Sequence, residues 1–246
     1  MSNSPPRTTA HISLAVSASS PTFSISGAND ATNPFQLIVT ARIVSFGVLQ
    51  SAITLQADRT PLDHGSGFAN ALFRGGLNYW VDVTNKTRVI SLKPSVRVNY
   101  GSSSENDQRK IGFLQFVTVP ASEDLVVSHE ITAERMFRAH NHHASSSLGP
   151  KDVKPGDRFR LRMTNLDCVG WWHPGGLDGE LKDKKFVGSF EEPNDDGRYE
   201  HFDDIEGQKP DTKTLKRHGW IFSEELDQLK VTAEEGKESV VIDFVA

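Results

Sequence analysis

The chain has 246 residues, of which 37% are hydrophobic and 24% charged. That is enough apolar material for a folded core without disulfides or metal, and too much for a disordered polymer. A net charge of −5 gives no global attraction to nucleic acid or to an anionic membrane, and the single Cys168 excludes an internal disulfide.

One cysteine in a chain of this length fits a reducing compartment. No secretory signal is visible at the N-terminus, and no apolar run approaches the roughly 20 residues of a membrane helix. These features predict a cytoplasmic protein with no membrane association. Residues 1–10, with Pro5 and Pro6, read as a disordered leader.

In chain order, His11–Val16 alternates Ile12, Leu14 and Val16 with smaller residues, the period of a half-buried strand. Thr22–Ser26 resumes it, and Phe35–Val44 carries Phe35, Leu37, Val39, Ala41 and Ile43 on one parity. Ser51–Gln56 is a further strand, closed by the proline turn Thr60-Pro61-Leu62-Asp63. Weaker strand signals follow at Tyr79–Val83, Arg88–Leu92 and Ser95–Tyr100, then stronger ones at Ile111–Val119 and Leu125–Thr132. Ala133–Ala139 is predicted as two turns of helix. Lys154-Pro155-Gly156-Asp157 is a turn that launches Arg158–Met163, where Phe159, Leu161 and Met163 oppose Arg158, Arg160 and Arg162. Leu177–Phe186 and Ser223–Leu229 read as short helices, the second with Ser223 as N-cap. Between them Glu191–Asp211 reads as a charged, solvated loop. Ser239–Val245 is a final, nearly continuous apolar strand.

Many short strands with few helices predict a mainly β fold: an immunoglobulin-like antiparallel two-sheet sandwich over 11–246, with short helices and a long C-terminal insertion at about 174–236.

From Gln36 to Asp63 the chain reads QLIVTARIV, then ITLQADRTPLD, with a later strand ending at Pro120 and then LVVSHEIT. This resembles the N-terminal β-sandwich of deuterolysin-like (aspzincin) metalloendopeptidases, over roughly Phe35 to Met163, with Thr60-Pro61-Leu62-Asp63 as the sharpest match. The PGDRFRLRM strand and the tryptophan pair look similar to stand-alone fungal relatives of that sandwich. The resemblance implies a non-catalytic accessory module. The peptidase's H-E-x-x-H helix is missing: His129-Glu130 is followed by Ile131-Thr132-Ala133 inside an alternating strand. No zinc peptidase activity and no cofactor are expected.

Three constellations remain as site candidates. Trp171-Trp172-His173 lies in a glycine-flanked turn; adjacent residues of an extended segment face opposite ways, so either one indole is a stacking platform while the other enters the core, or both plug the sandwich ends. His140, His142 and His143 form a weak candidate metal tract in a serine-rich loop. The arginine stripe of residues 158, 160 and 162 faces phosphate or the chain's own acidic loop. Cys168 reads as a small core residue. Two functional readings follow. One is a non-enzymatic binding or interaction module for an unknown protein or small-molecule partner. The other is a ligand-binding protein or enzyme with a pocket at one sandwich end, lined by Trp171, Trp172 and nearby histidines.

Overall fold

The computed structural model describes residues 9–28, 31–46, 51–65, 70–93, 105–138, 147–188, 191–224 and 228–246. Strands β1 (Thr9–Ala18), β2 (Thr22–Ser24), β3 (Phe35–Phe46), β4 (Ile53–Gln56), β5 (Tyr79–Asp82), β6 (Val89–Ser91), β7 (Phe116–Val119) and β8 (Leu125–Ile131) come first. Helix α1 (Ala133–Met136), β9 (Arg158–Arg162), β10 (Trp172–Pro174), β11 (Lys185–Phe186), helix α2 (Thr212–Arg217), β12 (Trp220–Ile221), β13 (Gln228–Ala233) and β14 (Ser239–Val245) complete the chain.

The mainly β sandwich is confirmed. One sheet runs β13-β1-β3-β8 and the other β2-β14-β9-β5-β6. Taking β1, β3, β5, β8, β9 and β14 as strands A, B, C, E, F and G, the partition is that of the immunoglobulin sandwich, with A, B and E facing C, F and G. The central pairings are antiparallel, as expected, but β13 runs parallel to β1 and β2 parallel to β14. The first two strands and the last two pass side by side from one sheet to the other, β1 beside β13 and then β2 beside β14; the Val16 amide holds them at the crossing through the Lys237 carbonyl, at 2.9 Å.

Period two explains the core. Ile12, Leu14, Leu37, Val39, Ala41, Phe159, Leu161, Ile242 and Phe244 all point inward and are buried. Aromatic rings bridge the sheets: Phe35 meets Phe23 edge-on at 5.3 Å and Trp80 at 6.4 Å. Outside β8 no further strand is paired among the described residues. There residues 57–65 and 70–77 pack in, burying Leu62, Ala71, Leu72 and Leu77 in the same core. At the far end, Arg88 ties the turn after β5 to the connection before β9: its guanidinium bonds Asp82, and Asp157 at 2.6 Å. Burial would raise the Asp82 carboxyl, but donors on Asn85, Thr84 and Arg88 outweigh it and hold the group down to about 2.

The second region is a cap. The connections β3–β5, β6–β8 and β9–β13 leave the sandwich at one end, and each donates a strand to a small sheet ordered β10-β4-β7. The extra structure therefore comes from three connections rather than from one segment at 174–236, and it ends before Gln228, where β13 rejoins the sandwich. Arg109 stitches the cap by donating to the carbonyls of Leu181, Lys182 and Lys184 at 3.0, 2.8 and 2.9 Å. Asp107, buried beside it, accepts from the Phe186 amide at 3.0 Å.

Several local expectations change. Of the helix expected at Ser223–Leu229, residues 225–227 lie outside the described residues; the Ser223 hydroxyl accepts from the Trp172 amide at 3.2 Å, and the residues from 228 are strand. The 177–186 segment is a series of turns ending in β11; α1 spans Ala133–Met136, and Ala139, the end of the expected helix, lies outside the described residues. Helix α2 appears instead at 212–217, capped by the Asp211 side chain, which accepts from the Thr214 amide at 2.7 Å. The strand expected at Ser95–Tyr100 lies outside the described residues.

Candidate functional site

The acidic segment is more than a solvated loop. Tyr199 and Phe202, two apolar positions in that charged run, pack with Val187, Leu215 and Trp220 into a core of their own. Phe202 meets Trp220 edge-on at 4.8 Å. A neighbouring cluster holds Trp171, Leu181 and Phe186, with the Trp171 and Phe186 rings stacked at 4.3 Å and 15°.

A cleft of about 540 Å³ opens over these clusters. Its aromatic wall is Tyr199, Trp220 and Phe222, with the Tyr199 and Phe222 rings 5.8 Å apart. His173 closes one side and Thr212, Lys216, Ser223 and Glu224 supply polar groups. The Lys216 ammonium sits 5.7 Å from the centre of the Phe222 ring, and Lys185 lies 5.2 Å from that of Trp220. His173 Nδ1 donates to the Pro174 carbonyl at 2.6 Å, which fixes the ring and leaves Nε2 as the nitrogen without that bond. Segment 222–224 is fixed by its backbone: the Glu224 amide donates to the Trp172 carbonyl at 2.8 Å.

Of the expected triplet, only His173 reaches this cleft. The tryptophans do face opposite ways, Trp172 into the sandwich core and Trp171 into the cap, but both faces are covered and the rings are 6% and 1% exposed. Neither is a stacking platform, because the cap that the sequence hides closes over Trp171. His140, His142 and His143 lie outside the described residues, and among the described residues no group of three metal-ligating side chains converges. Cys168 is exposed rather than buried, on the loop that follows the left-handed turn at Asn165. In the arginine stripe, Arg158 pairs with Asp243 on the next strand at 2.8 Å, not with the acidic segment. The aromatic wall at residues 199, 220 and 222 escaped sequence reading. Its one trace is the recurrence of aromatic residues within and just after a run of charge.

A second cavity, of about 440 Å³, lies between α1 and the 57–77 segment. His64, Asn70, His129, Arg135 and Arg138 line it. His129 points inward and donates from Nε2 to the Pro61 carbonyl at 2.9 Å, while Glu130 faces solvent. Burial pushes His129 down to about 4. Burial, reinforced by the Asp58 charge, pushes the nearby Asp63 up to about 6 against the pull of the Gly65 amide. The Thr60–Asp63 turn is thus a buried corner that props the open edge of β8.

Comparison with protein-family models, with curated proteins and with solved structures finds no match.

Proposed function

We propose that this protein is a binding module whose ligand sits in the cap cleft, against the half-buried Phe222, over the buried Tyr199 and Trp220, and between Lys216 and Glu224. The observation that carries the reading is that cleft: an accessible aromatic ring at Phe222 and side chains of opposite charge converge on a wall whose backbone is bonded to β10. An aromatic wall beside an ammonium suits a small ring compound with an anionic group. A non-catalytic role is in keeping with the resemblance of Phe35–Met163 to the accessory sandwich of deuterolysin-like endopeptidases. The exposed, unpaired Cys168 goes with the reducing, cytoplasmic setting proposed for it.

The naphthalene sulfonate dye ANS matches the cleft, having fused rings and one anionic group. The proposal expects saturable one-to-one binding, detected by energy transfer from tryptophan. Lys216→Glu, on the exposed face of α2, should weaken it about tenfold, and Phe222→Ala should weaken it further. Unsaturable binding, or equal affinity in both variants, contradicts the proposal.

A further inference from the structure

A third cavity, of about 410 Å³, lies where β5 begins and β9 ends, apart from the cap cleft. Its charged lining is of one sign: Arg59, Arg74 and Lys93 converge there, and no carboxylate lines it among the described residues. In a chain of net charge −5 this is a local reversal of the field. Tyr79, half exposed, lies at its rim, and Arg162 flanks the Trp80–Leu161 pair on the same face as that ring.

The walls are built rather than incidental. Three separate connections meet here, and the join depends on Gly75-Gly76. A side chain on Gly76 (φ 91°) would place its Cβ 2.1 Å from the Thr164 carbonyl oxygen, and one on Gly75 would lie 2.2 Å from that of Thr60. Two lining residues, Arg59 (φ 67°) and Asn165 (φ 56°), hold left-handed backbone that side chains seldom adopt. Asn165 then donates from Nδ2 to the Arg74 carbonyl at 2.6 Å, fastening one wall to the other.

We propose that this pocket binds a small organic phosphate. Guanidinium groups pair with phosphate oxygens bidentately, and a phosphate monoester carries the multiple charge that three converging cations match. The Tyr79 ring offers a face for the organic part. The cavity's size suits a small molecule.

Cys168, the sole cysteine, lines the same pocket and is exposed, so its alkylation rate reports occupancy. The rate with uncharged iodoacetamide should fall several-fold, and saturably, with AMP or pyrophosphate at ~1 mM, and stay unchanged with citrate. The protection should vanish in Arg59→Asn/Lys93→Glu, asparagine being tolerant of the left-handed turn. Lys93→Glu alone, at an exposed side chain, should reduce the protection and serves should the double variant fail to fold. No slowing by either phosphate compound overturns the proposal, as does undiminished protection in the Lys93 variant. Equal slowing by citrate overturns the phosphate assignment.

Discussion

The sandwich is held by long strands whose alternate residues are aliphatic, whereas the cap is held by ring stacking and by side chains bonded to backbone. β1 and β3 run for 10 and 12 residues, but the cap strands β10, β11 and β12 have only three, two and two. A strand of two residues cannot hold itself in place by its ladder. Arg109, Asp107 and the Trp171–Phe186 stack do that work instead. A regular lattice makes a scaffold, and the irregular region built on it is free to shape a cleft.

The sharpest way to break this contrast is at its two least exposed tryptophans, Trp80 and Trp171. Trp80→Ala should cost about 4 kcal/mol and remove hydrogen-exchange protection from both sheets. Trp171→Ala should cost about 3 kcal/mol and deprotect the cap while the sandwich strands stay protected. Equal loss in both regions would mean that they fold as one unit. Gly76 sits where the segment before β5 meets the residues just after β9. Gly76→Ala should cost roughly 2–3 kcal/mol in chemical denaturation, because the Cβ meets the Thr164 carbonyl and φ is positive.

Smaller effects come from the buried corner beside β8. Asp63 has its folded pKa raised from 3.8 to about 6, so its contribution is fully present below pH 3.8 and lost as pH rises through about 6. At pH 7 Asp63→Asn should therefore stabilise the protein, by about 2 kcal/mol. His129 is lowered from 6.5 to about 4, so its contribution is present above pH 6.5 and lost as pH falls through about 4. In His129→Gln that acid loss should disappear from the stability–pH curve. The smallest effect is expected at the solvated pair Arg158–Asp243, where Arg158→Ala should change stability by less than ~0.5 kcal/mol.

The same contrast governs what the sequence revealed. β3, β8 and β9 were legible because one buried face imposes strict alternation over four residues or more, and β14 because its apolar run is nearly continuous. β13 was not: Gln228–Ala233 is only partly buried on both faces, and Leu226 and Leu229 mimic a helical spacing. β10 was hidden because three residues between glycines read as a turn. Of the cap cleft, His173 was legible as a polar residue beside tryptophans. Tyr199, Trp220 and Phe222 were not, since only the folded cap brings them together. The Thr60–Asp63 turn was recognised as a motif, but its burial depends on β8, more than sixty residues away.

Where the ligand protects the backbone tests the central claim most directly. Hydrogen exchange measured with and without saturating ANS should slow around His173 and across 199–224, with β1, β3, β8, β9 and β14 unchanged. Protection spread over a sheet face, or absent from 199–224, would contradict a binding site in the cap.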